Sequence, residues 1–291
     1  MKNNQKSTVL LAGATGYLGG FIAKALSQEQ ITSKLISRSN KKLQPLESKT
    51  IKIIEAEVTK PNTLAGICEG VTTVISTIGI TRQKDGLTYM DVDYQANLNL
   101  LNEAKKAGVK KFIYVSAING SKYRHLKIFE AKEKFVDVLK LSGLDYVVIR
   151  PNGFFSDMKD FLNMAKKGRV YLFGNGEQKF NPIHGEDLAT VCLLAIQSTK
   201  NEIIVGGPDV LTLNEISEMA LETWQKSIKI SHLPDWIRQF SIWSLRTFTS
   251  SKTYGPIEFF LTLMAEDNIA PRFGTKRLYH FFNAIAKSNI K

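Results

Sequence analysis

Through the first half of the chain, short apolar runs alternate with stretches whose apolar residues recur at helical spacing. That is the pitch of βαβ units feeding a parallel sheet. Strands are expected at Thr8 to Ala12, Lys34 to Ser37, Lys52 to Glu55, Thr73 to Thr77, Lys111 to Ser116 and Asp145 to Arg150. Between them the periodicity predicts helices over Tyr17 to Ser27, Asp91 to Ala107 and His125 to Ser142, and a short turn near Asn62 to Cys68. Gly108 and Gly143 stand where helix C-caps belong, each followed by an apolar strand. Beyond Pro151 the alternation loosens into a helix over Asp157 to Lys167, a turn-rich stretch from Gly174 to Gly185, and a helix over Leu213 to Lys226. A strand at Glu202 to Val205 is expected to rejoin the sheet, which argues against two independently folding domains. The fold class expected is α/β: a doubly wound parallel sheet built mainly from residues 1–150, followed by a smaller C-terminal lobe over residues 151–291.

The carboxyl-terminal third is aromatic-rich. Leu233, Trp236, Ile237, Phe240 and Trp243 recur at helical spacing, with Arg238, Gln239 and Arg246 elsewhere on the wheel. A second apolar run, Ile257 to Met264, follows Gly255-Pro256, and a final helix over Thr275 to Ala286 offers Leu278, Phe281, Phe282 and Ile285 for docking. The region from Leu233 to Met264 reads as a lid over a substrate pocket or a subunit contact. A peripheral membrane surface is the competing reading, because Trp and Phe beside basic residues suit an anionic interface.

Composition narrows the class. The 291 residues are 43% hydrophobic and 23% charged, as in a soluble globular protein with a real core. A formal net charge of +12 makes an anionic partner the first expectation. The lysines are scattered rather than gathered in an arm or recognition helix, so nucleic acid is not the anion expected. Cys68 and Cys192 lie far apart with no metal-ligand spacing, so neither a disulfide framework nor a metal site is expected. The amino terminus from Met1 to Ser7 is polar, the run from Val9 to Ala12 is short, and no stretch approaches the ~18 apolar residues of a membrane span. The default compartment is the cytoplasm.

The anion is suggested by Val9-Leu10-Leu11-Ala12-Gly13-Ala14-Thr15-Gly16-Tyr17-Leu18-Gly19: a buried strand, a glycine turn and the opening of an apolar-periodic helix. Gly13 allows the tight turn, Gly16 lets backbone N–H groups approach a pyrophosphate, and Gly19 lets helix and strand close up, with Thr15, Tyr17 and Leu18 completing the cradle. At the end of the second strand, Ser37-Arg38-Ser39-Asn40-Lys41-Lys42 carries no acid for a ribose 2′-hydroxyl. An arginine fork at Arg38 suits a 2′-phosphate instead, so NADP(H) is expected over NAD(H); the alternative is a solvated basic loop.

From Gly13 onward the sequence resembles the atypical branch of the short-chain dehydrogenase/reductase superfamily. The resemblance runs from about Thr8 to Ile196. It is carried, in order, by Gly13 to Gly19, Glu57-Val58-Thr59, Ser76-Thr77-Ile78-Gly79, Asn99-Leu100-Leu101-Asn102-Glu103-Ala104, Phe112 to Ser116, Ala131-Lys132, Arg150-Pro151 and His184 to Ala189. Within the branch, Ala131 to Phe135 and Arg150 to Met158 are most similar to NmrA-like, isoflavone-reductase-like and divinyl chlorophyllide vinyl-reductase-like proteins. The resemblance implies a Rossmann-type NADP(H)-binding fold and, commonly, reductase activity. It implies Ser76, Thr77 and Gly79 beside the riboses, Ser116 beside the nicotinamide, and Glu57 with Val58 at the adenine.

Tyrosine-dependent members of that superfamily use YxxxK. The literal match, Tyr123 to Lys127, is too far from Arg150-Pro151, whereas Lys132 has the expected separation, and the residue four before it is Ile128. Lys132 is therefore the candidate ribose anchor and proton donor, with Ser116 and Tyr123 as further catalytic candidates. Ile128 disfavours ordinary ketone or alcohol chemistry. Asn152, Gly153, Phe154 and Phe155 are expected to line a substrate cleft, although two adjacent phenylalanines cannot both point inward. His184 reads either as an acid or base or, as in relatives, as part of a structural segment that caps the next helix through Asp187. Two functions stay open: an NADP(H)-dependent oxidoreductase acting on a small apolar or conjugated substrate, and a non-catalytic NADP(H)-binding regulator or assembly factor.

Overall fold

A computed structural model describes residues 7–83 and 86–290; the polar residues 1–6 of the amino terminus lie outside the described residues. Along the chain come β1 (Val9–Ala12), α1 (Tyr17–Gln28), β2 (Ser33–Ser37), β3 (Ile51–Glu55) and β4 (Thr73–Ser76). They are followed by α2 (Asn97–Lys106), β5 (Lys111–Val115), α3 (Lys127–Lys140) and β6 (Asp145–Pro151). Next are α4 (Lys159–Lys166), β7 (Val170–Phe173), β8 (Lys179–Phe180), α5 (Gly185–Ala195) and β9 (Glu202–Val205). The chain closes with β10 (Leu211–Thr212), α6 (Leu213–Thr223), β11 (Ile230–Leu233), α7 (Asp235–Phe248), α8 (Ser251–Leu263) and α9 (Leu278–Ile290).

The principal sheet has seven strands in the order β3-β2-β1-β4-β5-β6-β9, with helices on both faces, so the doubly wound Rossmann-like architecture is the observed one. Its central strands are apolar because both faces are covered: all four residues of β1 and of β4 are buried. In register, Leu11 stands beside Leu35 on one side and Ile75 on the other, and Ile75 stands beside Ile113. β9 joins the far edge, where Asn201 accepts from the Val148 N–H and Val205 accepts from the Asn152 N–H. On α3, Phe135, Val136 and Leu139 face the sheet, and Phe135 meets Phe112 and Tyr114 at ring-centroid distances of 5.8 and 4.7 Å. Each such buried side chain stabilises the unit by roughly 1.5–3 kcal/mol.

The helix expected over Asp91 to Ala107 opens as a π-helical segment, Met90–Ala96, before α2 proper. A wider i→i+5 turn of this kind is frequently found at functional sites.

Two compact units emerge. The first comprises residues up to Arg150 together with Leu188–Ile203, and the second comprises Pro151–Asp187 with Ile204–Lys291. The second unit has its own core, including Phe155, Phe161, Phe180, Ile216 and Phe282, and two small strand pairs, β7 with β11 and β8 with β10. α6 opens on a capping box in which the Glu215 N–H donates to Thr212 Oγ1 and the Thr212 N–H donates to Glu215 Oε2. α8 starts six residues before the run expected from Ile257 and continues through Pro256. The backbone bond forgone at the proline is tolerated in a helix anchored by Glu258, which is buried and ion-paired with Arg246. Among the described residues, no helix is long and apolar enough to cross a membrane, and no cluster of ligating side chains could hold a metal.

Candidate functional site

In an open parallel sheet, ligands bind where the strand order reverses, outside the carboxyl ends of the strands. Here that point lies between β1 and β4, at the turns starting from Gly13 and Ser76. The two turns are fastened together: the Thr77 N–H and hydroxyl both donate to the Ala12 carbonyl, at 3.0 and 3.1 Å. Gly13 has φ +89°, which L side chains rarely adopt, and a Cβ there would strike Thr77 Oγ1. A Cβ on Gly19 would meet the Gly13 carbonyl, so only a glycine lets α1 start this close to β1. Thr15 and Gly16 are exposed, Tyr17 leans edge-on against Phe21, and Leu18 and Gly19 are buried. With no acidic residue in its first turn, the N-terminus of α1 presents its N–H groups and dipole to an anion.

At the end of β2, the Ser37 hydroxyl donates to the Ser39 carbonyl and accepts from the Ser39 N–H, at 2.7 and 3.2 Å. This closed turn leaves Arg38 exposed. Across from it Glu57 is held by Lys60 (2.7 Å) and the Thr59 hydroxyl (3.0 Å), and those two partners, with Arg38 adding a smaller field, keep its carboxyl below the ordinary range. Val58 is half-buried against the core, and its carbonyl accepts from Asn99 at 3.1 Å.

Lys132 lies 2.7 Å from Asp93, which is completely buried. Burial pushes the Asp93 carboxyl up, with the lysine offsetting part of that. Burial alone would lower the Lys132 ammonium, but Asp93 and Tyr114 outweigh it and hold the group above the ordinary lysine range, hence charged. The Tyr114 ring centroid is 5.8 Å from Lys132 Nζ, and burial raises its phenol far above the usual range. Over this cluster passes the β4 turn: a Cβ on Gly79 would sit 2.6 Å from Asp93 Oδ1 and 2.8 Å from Lys132 Nζ. The Ser76 hydroxyl donates to Asn97 Oδ1 at 2.5 Å, and Asn97 donates back to the Ile78 carbonyl at 3.2 Å.

Ser116, at the end of β5, is buried and donates to Glu133 at 3.3 Å. Glu133 in turn receives both terminal nitrogens of Arg150, at 2.6 and 2.9 Å, and Arg150 Nε reaches Glu202 at 2.6 Å. Ile128 is buried on α3. Tyr123 is also buried, stacked on Phe129 at 6.2 Å, and so does not stand at an open surface.

In the second unit, Asn152 is interior and donates to Asn181 and to the Asn268 carbonyl at 2.7 and 2.5 Å. Of the adjacent phenylalanines, Phe155 serves the core, while Gly153 is exposed and Phe154 half-exposed. His184 Nδ1 accepts from the Glu186 N–H at 3.2 Å and thus caps α5 itself. Asp187, the cap expected from relatives, instead clamps the N–H groups of Thr275 and Lys276 at 3.1 and 3.0 Å. Burial lowers the His184 imidazole below its usual range, with Glu186 and Asp187 opposing, which keeps Nδ1 available as an acceptor.

The profile of a family described as NAD(P)H-binding matches residues 13–199. The chain belongs to that NAD(P)H-binding family. Photosystem II assembly factor Ycf39 of Synechocystis is 30% identical over 247 residues, covering 83% of this chain and 74% of that protein. The chloroplastic divinyl chlorophyllide a 8-vinyl-reductase of Arabidopsis thaliana is 27% identical over 264 residues, covering 83% of this chain and 63% of that one. Among solved structures, the fold is shared with the NADPH complex of the Escherichia coli quinone oxidoreductase QOR2 (TM-score 0.69, 16% identity, 97% of this chain and 100% of that one). It is shared also with AtPrR2 bound to NADP+ and (+)-pinoresinol (TM-score 0.77, 15% identity, 96% and 98%). The resemblance carried by the motifs is therefore the family found.

For a member of the NAD(P)H-binding family, the residues present fit a dinucleotide: a side-chain-free cradle at Gly13 and Gly19, an acid-free helix N-terminus and an exposed arginine just after β2. Asp93 and Asn97 escaped the sequence reading. Extending the buried stripe of Leu100, Leu101 and Ala104 back one and two turns lands on Ala96, Asn97, Val92 and Asp93, so polar residues at apolar phase were the signal.

Proposed function

We propose that the protein is an NADPH-dependent oxidoreductase whose acceptor is a conjugated, largely apolar molecule reduced at a carbon–carbon double bond. The observation that carries this reading is the joining of a dinucleotide cradle to a buried Ile128 in the tyrosine position, beside a Lys132 held charged by Asp93. Such a site offers a fixed positive charge and no phenolic acid at that position. Reduction of an activated C=C bond suits it better than ketone chemistry, because charge developing next to the acceptor is stabilised by a preorganised cation and the completing proton comes from water. Bound NADPH supplies the hydride. The chain's own parts divide the binding: Arg38 meets the 2′-phosphate, the N–H groups of α1 meet the pyrophosphate, and Lys132 borders the ribose. The relative named as a vinyl-reductase supports this acceptor class.

A second reading, an NADP(H)-binding assembly factor without turnover, is favoured by the same Ile128 and by the relative named as an assembly factor. Stopped-flow absorbance of NADPH against enones, quinones, vinyl compounds and aldehydes separates the two. Turnover on the conjugated acceptors, abolished in Lys132→Met, supports the reductase. Tight NADPH binding with no oxidation across the panel overturns it in favour of the second.

A further inference from the structure

The serine and threonine hydroxyls at the carboxyl ends of β4 and β5 share one property: each has its single proton directed into the protein. Ser76 donates to Asn97 Oδ1 at 2.5 Å, and Thr77 donates to the Ala12 carbonyl at 3.1 Å. Ser116 is the informative member, because its two partners fix the direction. Arg150 Nη1, 3.5 Å from Ser116 Oγ, can only donate. Glu133 Oε1, 3.3 Å away and held by Arg150 Nη1 at 2.6 Å, is a carboxylate oxygen that accepts. The serine proton therefore points to Glu133 and a serine lone pair receives the guanidinium. Turning that proton outward gives up a buried hydrogen bond to a charged acceptor, a preference of about 10-fold or more.

The surroundings of Glu133 hold that direction. It is buried, Arg150 Nη2 fixes its second oxygen at 2.9 Å, and Arg150 is itself tied to Glu202 through Nε at 2.6 Å and to the Ala117 carbonyl at 3.3 Å. Gly120 passes over the pair where a Cβ would collide with Glu133 Oε1. Rotating the carboxylate away from Ser116 would break the paired, charge-assisted bonds to Arg150 as well.

Resting on the reductase reading, in which the end of β5 borders the reacting groups, we propose that Glu133 is a positioning residue that sets the substrate class through Ser116. By taking the only serine proton it leaves Ser116 an acceptor toward a ligand, with no hydroxyl to donate to a carbonyl oxygen. Ile128, buried in the tyrosine position, supplies no phenol in its place. The acceptors selected are those whose reacting carbon–carbon double bond does not depend on a carbonyl held at the end of β5.

The test has two arms, both on the intact protein. In neutron diffraction from crystals exchanged into heavy water, the Ser116 deuteron should lie between Oγ and Glu133 Oε1. A deuteron directed away from Glu133 overturns the proposal, whether or not the protein turns over. The second arm follows NADPH oxidation with an enone and with a vinyl acceptor that has no carbonyl. Ser116→Ala should keep kcat/KM on the enone within about 3-fold of the parent, whereas removing a working oxyanion donor costs on the order of 100-fold or more; a loss of that size overturns the proposal. Glu133→Leu/Arg150→Met replaces the pair by apolar side chains of similar volume, which need not cost stability, and frees the serine proton. It should raise the enone-to-vinyl ratio of kcat/KM about 10-fold or more, and adding Ser116→Ala should abolish the gain. A ratio that stays at the parental value in the folded variant overturns the proposal, since a purely structural role for Glu133 scales both rates alike. If that variant does not fold, the deuteron position and Ser116→Ala decide. A parent that oxidises no NADPH with either acceptor removes the reductase reading itself, and the deuteron position still decides the polarity of Ser116.

Discussion

Replacing Lys132 by Met leaves Asp93 buried without its counter-ion. Asp93 has no exposed surface, and its remaining stabilising contact is the Ile80 N–H at 3.1 Å. Breaking a buried pair from one side costs about 3–5 kcal/mol, which for a unit of this size lowers the melting temperature on the order of 10 °C. The pH dependence gives the sharper test. Without Lys132 the folded pKa of Asp93 lies further above its unfolded value, so the folded state binds the extra proton and the deficit of Lys132→Met grows as pH rises through that window. Asp93→Asn leaves a buried ammonium whose folded pKa falls below its unfolded value. Its deficit is therefore largest at low pH and closes as pH rises toward the lysine range. Urea unfolding of both variants and of the double variant across pH measures the opposed slopes and the coupling. Deficits under about 1 kcal/mol, or slopes of the same sign in the two single variants, refute the reasoning. NADPH affinity distinguishes positioning from stability: if Lys132 borders the ribose as proposed, the double variant should regain stability without regaining NADPH affinity.

Arg38→Ala should weaken NADPH binding about 10-fold or more and leave NADH binding unchanged, because only the former offers a 2′-phosphate to the guanidinium; calorimetric titration of both nucleotides checks it. Gly19→Ala drives a Cβ into the Gly13 carbonyl, so binding of either dinucleotide should be lost, with a fall in melting temperature as the first turn of α1 is displaced. His184→Asn keeps an acceptor for the Glu186 N–H but removes a group whose folded pKa is depressed. The parent should lose stability as pH falls through the ordinary histidine range, and the variant should show a shallower slope there in pH-dependent thermal melts.

The sheet and the glycine turn were legible because their determinants are local. A strand buried on both faces must be a continuous apolar run, and the turn after β1 needs glycine both at a positive φ and at a helix-to-strand contact, so pattern and residue type coincide. The start of α8 was not legible, because Gly255-Pro256 is an ordinary breaker signal and what carries the helix through it is Glu258 pairing with Arg246 on α7. Nor was the partner of Lys132. Asp93 is one of two aspartates at the entry to a helix, an ordinary place for acids near a positive dipole end, and only the π-helical phase and the three-dimensional approach of α3 show that it faces inward.

Two adjacent residues of α3 make the same point from the opposite direction. Lys132 and Glu133 carry opposite charges into the interior side by side, where a surface helix would send one or both to water. Lys132 with Asp93 lies under the turn that follows β4, and Glu133 with Arg150 lies under the turn that follows β5, where Gly120 lacks the Cβ that would collide with both. Replacing either pair by apolar residues of similar volume need not cost stability, since desolvating two charges offsets much of their attraction. Stability therefore does not explain their presence. What ion pairs supply and apolar contacts do not is direction. Each fixes the position of one turn at the carboxyl edge of the sheet relative to a single rigid helix, and so fixes the two turns relative to each other. A nicotinamide ribose bound against those turns, as in the function proposed, would need that constancy more than additional binding energy, because misplacement of the reacting carbon by about 1 Å costs on the order of 100-fold in rate. In this protein α3 is the ruler for the site, although the tyrosine position on it is held by Ile128.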